Sequence, residues 1–311
     1  MARYTNLQSN EIQEILNKYG LEVLEYQPIE EGAGNSSYWV RTYQKQFVLT
    51  VFEIERTRVV NLCKLLLLLE EYQYPTTRIQ KLTNGDAITA IHGKPVLLKP
   101  YIVGQLVKNL DENRIRQVGT EMALLHKIPS PDYLPDHHTY GLQTFQALLG
   151  EKIDLEYENW LAQKHKMLSK EMPSGLPKGL IHGDVFYDNV LFEGETIKSL
   201  IDFEEACHYY KIFDLGMAVI GLCTENLSIK LEKVRALVDG YQSVRALEEN
   251  EKESLQYFIE YAAIATSSWR FWNYNIQNPD PEKSEKHYEM VKIAQDAKAI
   301  PAKEFLNRIF G

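Results

Sequence analysis

The sequence predicts an α+β fold in two lobes: a small antiparallel-sheet lobe over residues 1–103 and a larger, mainly helical lobe over residues 104–311. Three observations carry this. Short strand-like segments crowd the first hundred residues. Helical periodicity dominates beyond Gly104. One apolar strand–loop–strand hairpin, Gly179 to Asp202, interrupts the helices. A length of 311 residues fits two domains, at roughly 100–200 residues each.

The elements follow in order. A short helix runs from Asn10 to Tyr19, with Asn10 as its N-cap and Gly20 at its end. Strands are expected at Leu21 to Ile29, Tyr38 to Thr42 and Phe47 to Phe52. A helix over Arg58 to Tyr72 carries Val59, Leu62, Leu65, Leu66 and Leu69 at i, i+3, i+4 spacing, so one face packs on the sheet. Pro75 stops it. Two further strands, Ala87 to Ile91 and Val96 to Ile102, are set off by the turns Asn84-Gly85 and His92-Gly93. Val103-Gly104 is the junction. Helices then cover Asp111 to His126 and Asp154 to Met172. The hairpin turns at Glu193-Gly194, and helices resume near Asp214.

Composition narrows the function. The net charge of −9 argues against a general nucleic-acid binder, which needs a cationic surplus to neutralise phosphates. Residues 1–101 are neutral, so the whole deficit falls on the larger lobe. The longest apolar run, Leu65 to Leu69, is far short of a membrane span. The opening residues lack a basic segment followed by an apolar core. Cys63, Cys207 and Cys223 are odd in number and widely spaced, forming neither a zinc pattern nor a disulfide framework. Buried, reduced thiols and a cytoplasmic location are expected.

The chemistry concentrates in Leu180-Ile181-His182-Gly183-Asp184-Val185-Phe186-Tyr187-Asp188-Asn189-Val190-Leu191-Phe192, followed by Leu200-Ile201-Asp202-Phe203. Phosphoryl transfer from a nucleotide needs a carboxylate to orient the acceptor hydroxyl and take its proton. It also needs oxygen ligands for Mg2+. Asp184, Asn189 five residues later, and Asp202 on the following hairpin fit that spacing. Taken singly, each is a turn or cap residue; the three together, flanked by apolar strands, point to a site. His182 reads as a residue that bonds the loop backbone. Gly32, Gly34, Asn35, Ser36 and Ser37 lie between two strands, where backbone N–H groups and hydroxyls suit phosphate oxygens. Pro100, Tyr101 and Ile102 leave the small lobe as a strand whose backbone can meet an adenine edge. The third strand holds Thr50 where a kinase normally has a lysine. Glu53 and Glu55 read as cation ligands or as surface charges.

These blocks resemble the aminoglycoside-phosphotransferase and choline-kinase superfamily, and within it the type II homoserine kinases. Further stretches carry the likeness: Glu31-Gly32 with Asn35-Ser36, Val48-Leu49-Thr50-Val51-Phe52-Glu53, Asp214-Leu215 and Arg270-Phe271-Trp272. The resemblance covers nearly the whole chain. It implies a bilobal protein-kinase-like fold, ATP and Mg2+, and transfer of the γ-phosphate to L-homoserine. Asp184 is then the base, and Asn189 and Asp202 the metal ligands. Thr50 is itself a feature of that family. Arg270 would face the acceptor carboxylate; a helix-surface ion pair is its other reading. Two departures stand out: Glu204-Glu205 follows Asp202-Phe203, and Asn273-Tyr274-Asn275 follows Trp272. Extra carboxylates there, with Tyr187 and Asp188, favour a cationic acceptor. Choline, ethanolamine or an aminoglycoside is therefore the alternative acceptor, and a nucleotide-binding pseudokinase the alternative class.

Overall fold

The computed structural model describes residues 5–29 and 34–311. It divides into two compact units. One comprises the described residues up to Gly104 together with Ser199–Glu204; the other comprises 105–198 and 205–311.

The smaller unit is built on a five-stranded antiparallel sheet. After helix α1 (Ser9–Asn17) come β1 (Val23–Ile29), β2 (Ser36–Thr42) and β3 (Gln46–Val51). Helix α2 (Arg56–Glu71), β4 (Thr89–Ile91) and β5 (Lys94–Pro100) complete it, in the sheet order β1-β2-β3-β5-β4. Alternation gives each strand two faces. Tyr38, Val40, Leu49, Val51, Val96 and Leu98 point to one face. There they bury against Ile12, Ile15 and Leu16 of α1. The helix starts at Ser9, just ahead of the expected Asn10.

The larger unit opens with the short strand β6 (Gln105–Leu106) and helix α3 (Glu112–Leu125). Asp111 caps α3, its Oδ1 accepting from the Arg114 amide at 2.8 Å. Helix α4 (Leu155–Glu171) is capped the same way by Asp154, at 3.0 Å from the Tyr157 amide. Strands β7 (Lys178–Ile181), β8 (Val190–Glu193) and β9 (Thr196–Leu200) form the expected hairpin region. Strand β10 (Cys207–Tyr210) pairs antiparallel with β7, in a stretch to which the sequence assigned no element. Helix α5 (Lys211–Leu222) is buried on almost every face. A two-residue ribbon follows, β11 (Thr224–Glu225) with β12 (Ser228–Ile229). Helices α6 (Leu231–Gln242), α7 (Glu249–Trp272), α8 (His287–Ala299) and α9 (Ala302–Phe310) close the chain. No helix among the described residues is long and apolar enough to cross a membrane. Cys63, Cys207 and Cys223 are free, buried thiols.

Candidate active site

The loop between β7 and β8 is shaped by its own side chains. Gly183 has a φ of +84°, a conformation that costs glycine nothing. A Cβ there would also lie 2.6 Å from the Glu205 carbonyl oxygen. His182 Nδ1 accepts from the Asp184 amide at 3.2 Å, which is the backbone role the sequence suggested. Asn189 turns its amide nitrogen inward, donating to the Asp184 carbonyl at 2.8 Å and to Asp184 Oδ2 at 3.1 Å. Its amide oxygen is thereby left pointing away from Asp184. Tyr140 donates to the other carboxylate oxygen of Asp184 at 3.1 Å. Asp184 and Asn189 are thus brought together, with the carboxylate held at both oxygens.

A buried network fixes this loop from behind. Asp214, in the first turn of α5 and fully buried, accepts from the His182 amide at 3.0 Å and the Gly183 amide at 2.8 Å. Its third partner is His126 Nε2, at 2.9 Å. Burial pushes the Asp214 pKa up. The hydrogen bonds from His126 and the Gly183 amide outweigh burial and hold it below the usual carboxylate range. Burial also keeps His126 neutral, lowering its pKa. The neutral ring donates through Nε2 and accepts at Nδ1 from the Tyr241 hydroxyl, at 2.7 Å. Arg245 donates to that hydroxyl at 3.1 Å and forms a two-pronged pair with the buried Glu251 at 3.0 and 2.9 Å. His138 is fully buried as well, and its Nε2 donates to the Gly183 carbonyl at 2.9 Å. Tyr140, His138, His126 and Asp214 were not singled out as site residues from the sequence. The only available signal was Asp214-Leu215 and His126 within the family resemblance.

In the smaller unit, Gly32 lies outside the described residues, and Gly34 is exposed with open space around it. Asn35 accepts from the Glu53 amide at 3.0 Å and donates to both carboxylate oxygens of Glu204, at 2.7 and 2.6 Å. Ser36 is buried. Its hydroxyl donates to Glu53 Oε1 at 3.0 Å and accepts from the Thr5 amide at 2.8 Å. That hydroxyl points into the fold, where the sequence reading had it facing phosphates. Period-2 alternation puts Ser37 on the other face, where its hydroxyl meets Thr50 Oγ1 at 3.2 Å. Glu53 holds a cation, the Lys94 ammonium, and is no loose surface charge. It binds Thr5, Ser36 and Lys94; burial raises its pKa, and these partners more than reverse that.

Asp202 belongs to this smaller unit and has a φ of +67°. A non-glycine residue in the left-handed region marks stored strain, which gathers at functional sites. The chain on either side is pinned. Before it, the Thr76 hydroxyl donates to the Leu200 carbonyl at 2.6 Å. After it, Asn35 holds Glu204. The Asp202 side chain is exposed and has no hydrogen bond or ion pair among the described residues. Carboxylate and amide oxygens are hard ligands of the kind that suits Mg2+. No group of three or more His, Cys, Asp or Glu suited to a metal occurs among the described residues.

Other expected residues fall differently. Arg270, in the last turn of α7, is bound to Glu289 of α8 at 2.8 Å and to the Lys286 carbonyl at 3.1 Å, so it forms the ion pair of its other reading. Glu204 is held by Asn35, at both carboxylate oxygens. Tyr187 is half-buried with Lys108 Nζ 6.0 Å from its ring centre, and Asp188 is exposed. The Tyr101 amide donates to the Gln46 carbonyl at 3.0 Å, extending the sheet. Pro100 pairs with Phe47 and brings no N–H. Ile102 is the expected residue whose backbone N–H has no partner among the described residues. Beside Asp184, Tyr140 lies 6.0 Å from Trp269, and Trp269 lies 6.0 Å from Tyr274, centre to centre.

Comparison with known proteins agrees with this arrangement. A model described as a phosphotransferase enzyme family matches residues 25–247. A homoserine kinase of Bartonella tribocorum is 28% identical over 290 residues, covering 90% of this chain and 91% of its own. One from Zymomonas mobilis is 27% identical over 315 residues, covering 96% and 98%. Among solved structures, a microcompartment-associated aminopropanol kinase superposes with a TM-score of 0.72 at 17% identity, covering 96% of this chain and 99% of that one. Spectinomycin phosphotransferase APH(9)-Ia, in complex with ADP and spectinomycin, gives 0.64 at 14% identity, covering 99% of both. At such identities these structures establish the fold: bilobal α+β, as the sequence predicted.

Proposed function

The chain belongs to the phosphotransferase enzyme family, and on that premise we propose that it moves the γ-phosphate of ATP to the hydroxyl of a small amino alcohol, L-homoserine first among them. One observation carries the reading. The Asp184 carboxylate is held by Tyr140 and Asn189 in a loop whose backbone is pinned by the buried Asp214. Catalysis of phosphoryl transfer is mostly positioning and electrostatics. Asp184 orients the acceptor hydroxyl and takes its proton as the new P–O bond forms and ADP departs. Asn189, through its amide oxygen, and Asp202 would hold Mg2+, which would supply neutralising charge to the phosphates. Ser37 and the backbone from Gly34 cover the phosphates, and Ile102 meets the adenine edge. The relatives named homoserine kinase support the acceptor. The three free, buried thiols support a cytosolic setting.

A second acceptor class is favoured by one specific observation. Arg270 is bound to Glu289, while a chain of rings runs from Tyr140, which bonds Asp184, to Trp269 and on to Tyr274. Aromatic faces suit an ammonium or quaternary amine. A coupled ADP-release assay over homoserine, choline, ethanolamine and a panel of aminoglycosides separates the two. Turnover of homoserine is expected. Turnover of choline alone would replace the acceptor and leave the chemistry standing. Binding of Mg-ATP with no transfer to any of them would favour a pseudokinase.

A further inference from the structure

Nucleotide kinases ordinarily place a lysine on the third strand, paired with a helix glutamate, to hold the α- and β-phosphates. Both members of that pair are missing here. The third-strand position is Thr50, and α2 carries no carboxylate before Glu70. The face that should bear the cation can be read from the strand register. Thr50 opposes Leu97 and Val48 opposes Lys99 across β3 and β5. Directly opposed residues share a face, and residues two apart on a strand share it too. Val48, Thr50, Leu97 and Lys99 therefore lie on one face, opposite the face that buries Leu49, Val51, Val96 and Leu98 against α1. Lys99 is the diagonal neighbour of Thr50, a separation of about 7–8 Å.

The surroundings of Lys99 match a cation awaiting an anion. It is half-buried, its Nζ lies 5.8 Å from the centre of the buried Phe52 ring, and it has no hydrogen bond or ion pair among the described residues. Three other cations of the unit are committed: Lys94 to Glu53, Arg41 to Glu25, and Arg78 to Glu70 and two carbonyls. Lys99 also acts on Cys63 of α2. Burial pushes that thiol up to about 12, and the Lys99 charge pulls against the shift, so the ammonium lies on the α2 side of the sheet. We propose that Lys99, on the fifth strand, supplies the phosphate-binding cation that the third strand lacks. A flexible four-carbon stem makes the change of strand feasible.

The proposal rests on the ATP reading above, and titration calorimetry of the whole protein distinguishes the two. The probes are ADP with Mg2+ and adenosine. Wild type binds ADP. Lys99→Met weakens ADP at least tenfold and raises the KM for ATP in step, with adenosine binding unchanged. Lys99→Arg, which keeps the charge, stays within a few-fold of wild type. Adding Thr50→Lys to Lys99→Met restores most of the lost ADP affinity, which a merely structural lysine would not allow. Equal ADP affinity in wild type and Lys99→Met, or equal losses for ADP and adenosine, would overturn the proposal with the kinase reading intact. A wild type that binds no ADP would overturn both.

Discussion

Asp184 is held at both carboxylate oxygens, by Tyr140 and by Asn189; an asparagine there keeps one oxygen to accept from Asn189, and its amide nitrogen can donate to the Tyr140 hydroxyl in reversed role. Asp184→Asn should abolish turnover while nucleotide affinity stays within a few-fold of wild type. ADP release and calorimetry on the same preparation check both halves, and residual turnover near the wild-type rate would remove Asp184 from its role. Gly183 supplies the neighbouring test. Gly183→Ala forces a Cβ onto a φ of +84° and against the Glu205 carbonyl. A cost of about 1–3 kcal/mol from the backbone alone is expected in urea unfolding. At this scale the sequence revealed the residues whose spacing is local: Asp184 and Asn189 are five apart on one loop. Tyr140, His138, His126 and Asp214 reach that loop from distant segments, so nothing near them in the chain announces it. Ser36 shows the other kind of miss. Its loop was visible, but which hydroxyl faced inward depended on one step of strand register.

Helices were legible where their ends carry a side-chain signal. Asp111 and Asp154 cap α3 and α4 at the expected positions because a short carboxylate satisfies an otherwise orphaned amide. Strand β10 was not legible. It is four residues long, and what makes it a strand is its pairing with β7, a distant segment. The crossing of α3 and α6 shows a constraint of the same non-local kind. A Cβ on Gly119 would sit 2.1 Å from the Leu237 carbonyl oxygen, and one on Gly240 would sit 1.9 Å from that of Arg116. The two helices touch backbone to backbone, with glycine on both sides. The contact matters to the site because α3 ends at His126 and α6 carries Tyr241, the two ends of the bond that orients Asp214. Gly240→Ala should therefore destabilise the chain by about 1–3 kcal/mol or more through overpacking. It should also slow turnover, since the helices must part. Thermal unfolding and ADP release measure the two effects. An unchanged unfolding midpoint would show that the crossing can open without cost.

The response of the molecule to acid follows from three buried imidazoles. His126, His138 and His287 each have a pKa lowered first of all by burial, so all three are neutral in the folded chain near neutral pH. In the unfolded chain they protonate at roughly 6.5. Below that value the unfolded state binds more protons than the folded state, so stability falls as pH falls. The loss starts as pH drops through the unfolded value and continues until it reaches the folded ones. The lowered carboxylates act in a separate, lower window. Asp214, Glu53 and Glu289 contribute stability that is complete above roughly 4 and is lost as pH falls through their folded pKa values. Two acid-sensitive ranges are thus expected, the first well above the second. The urea midpoint should drop between about pH 7.5 and about pH 5.5, where carboxylates do not titrate. His138→Gln, which keeps a donor for the Gly183 carbonyl but cannot protonate, should flatten that drop. A midpoint level across the range would mean that these rings take up protons while still folded, and that the network holding the Asp184 loop tolerates their charge.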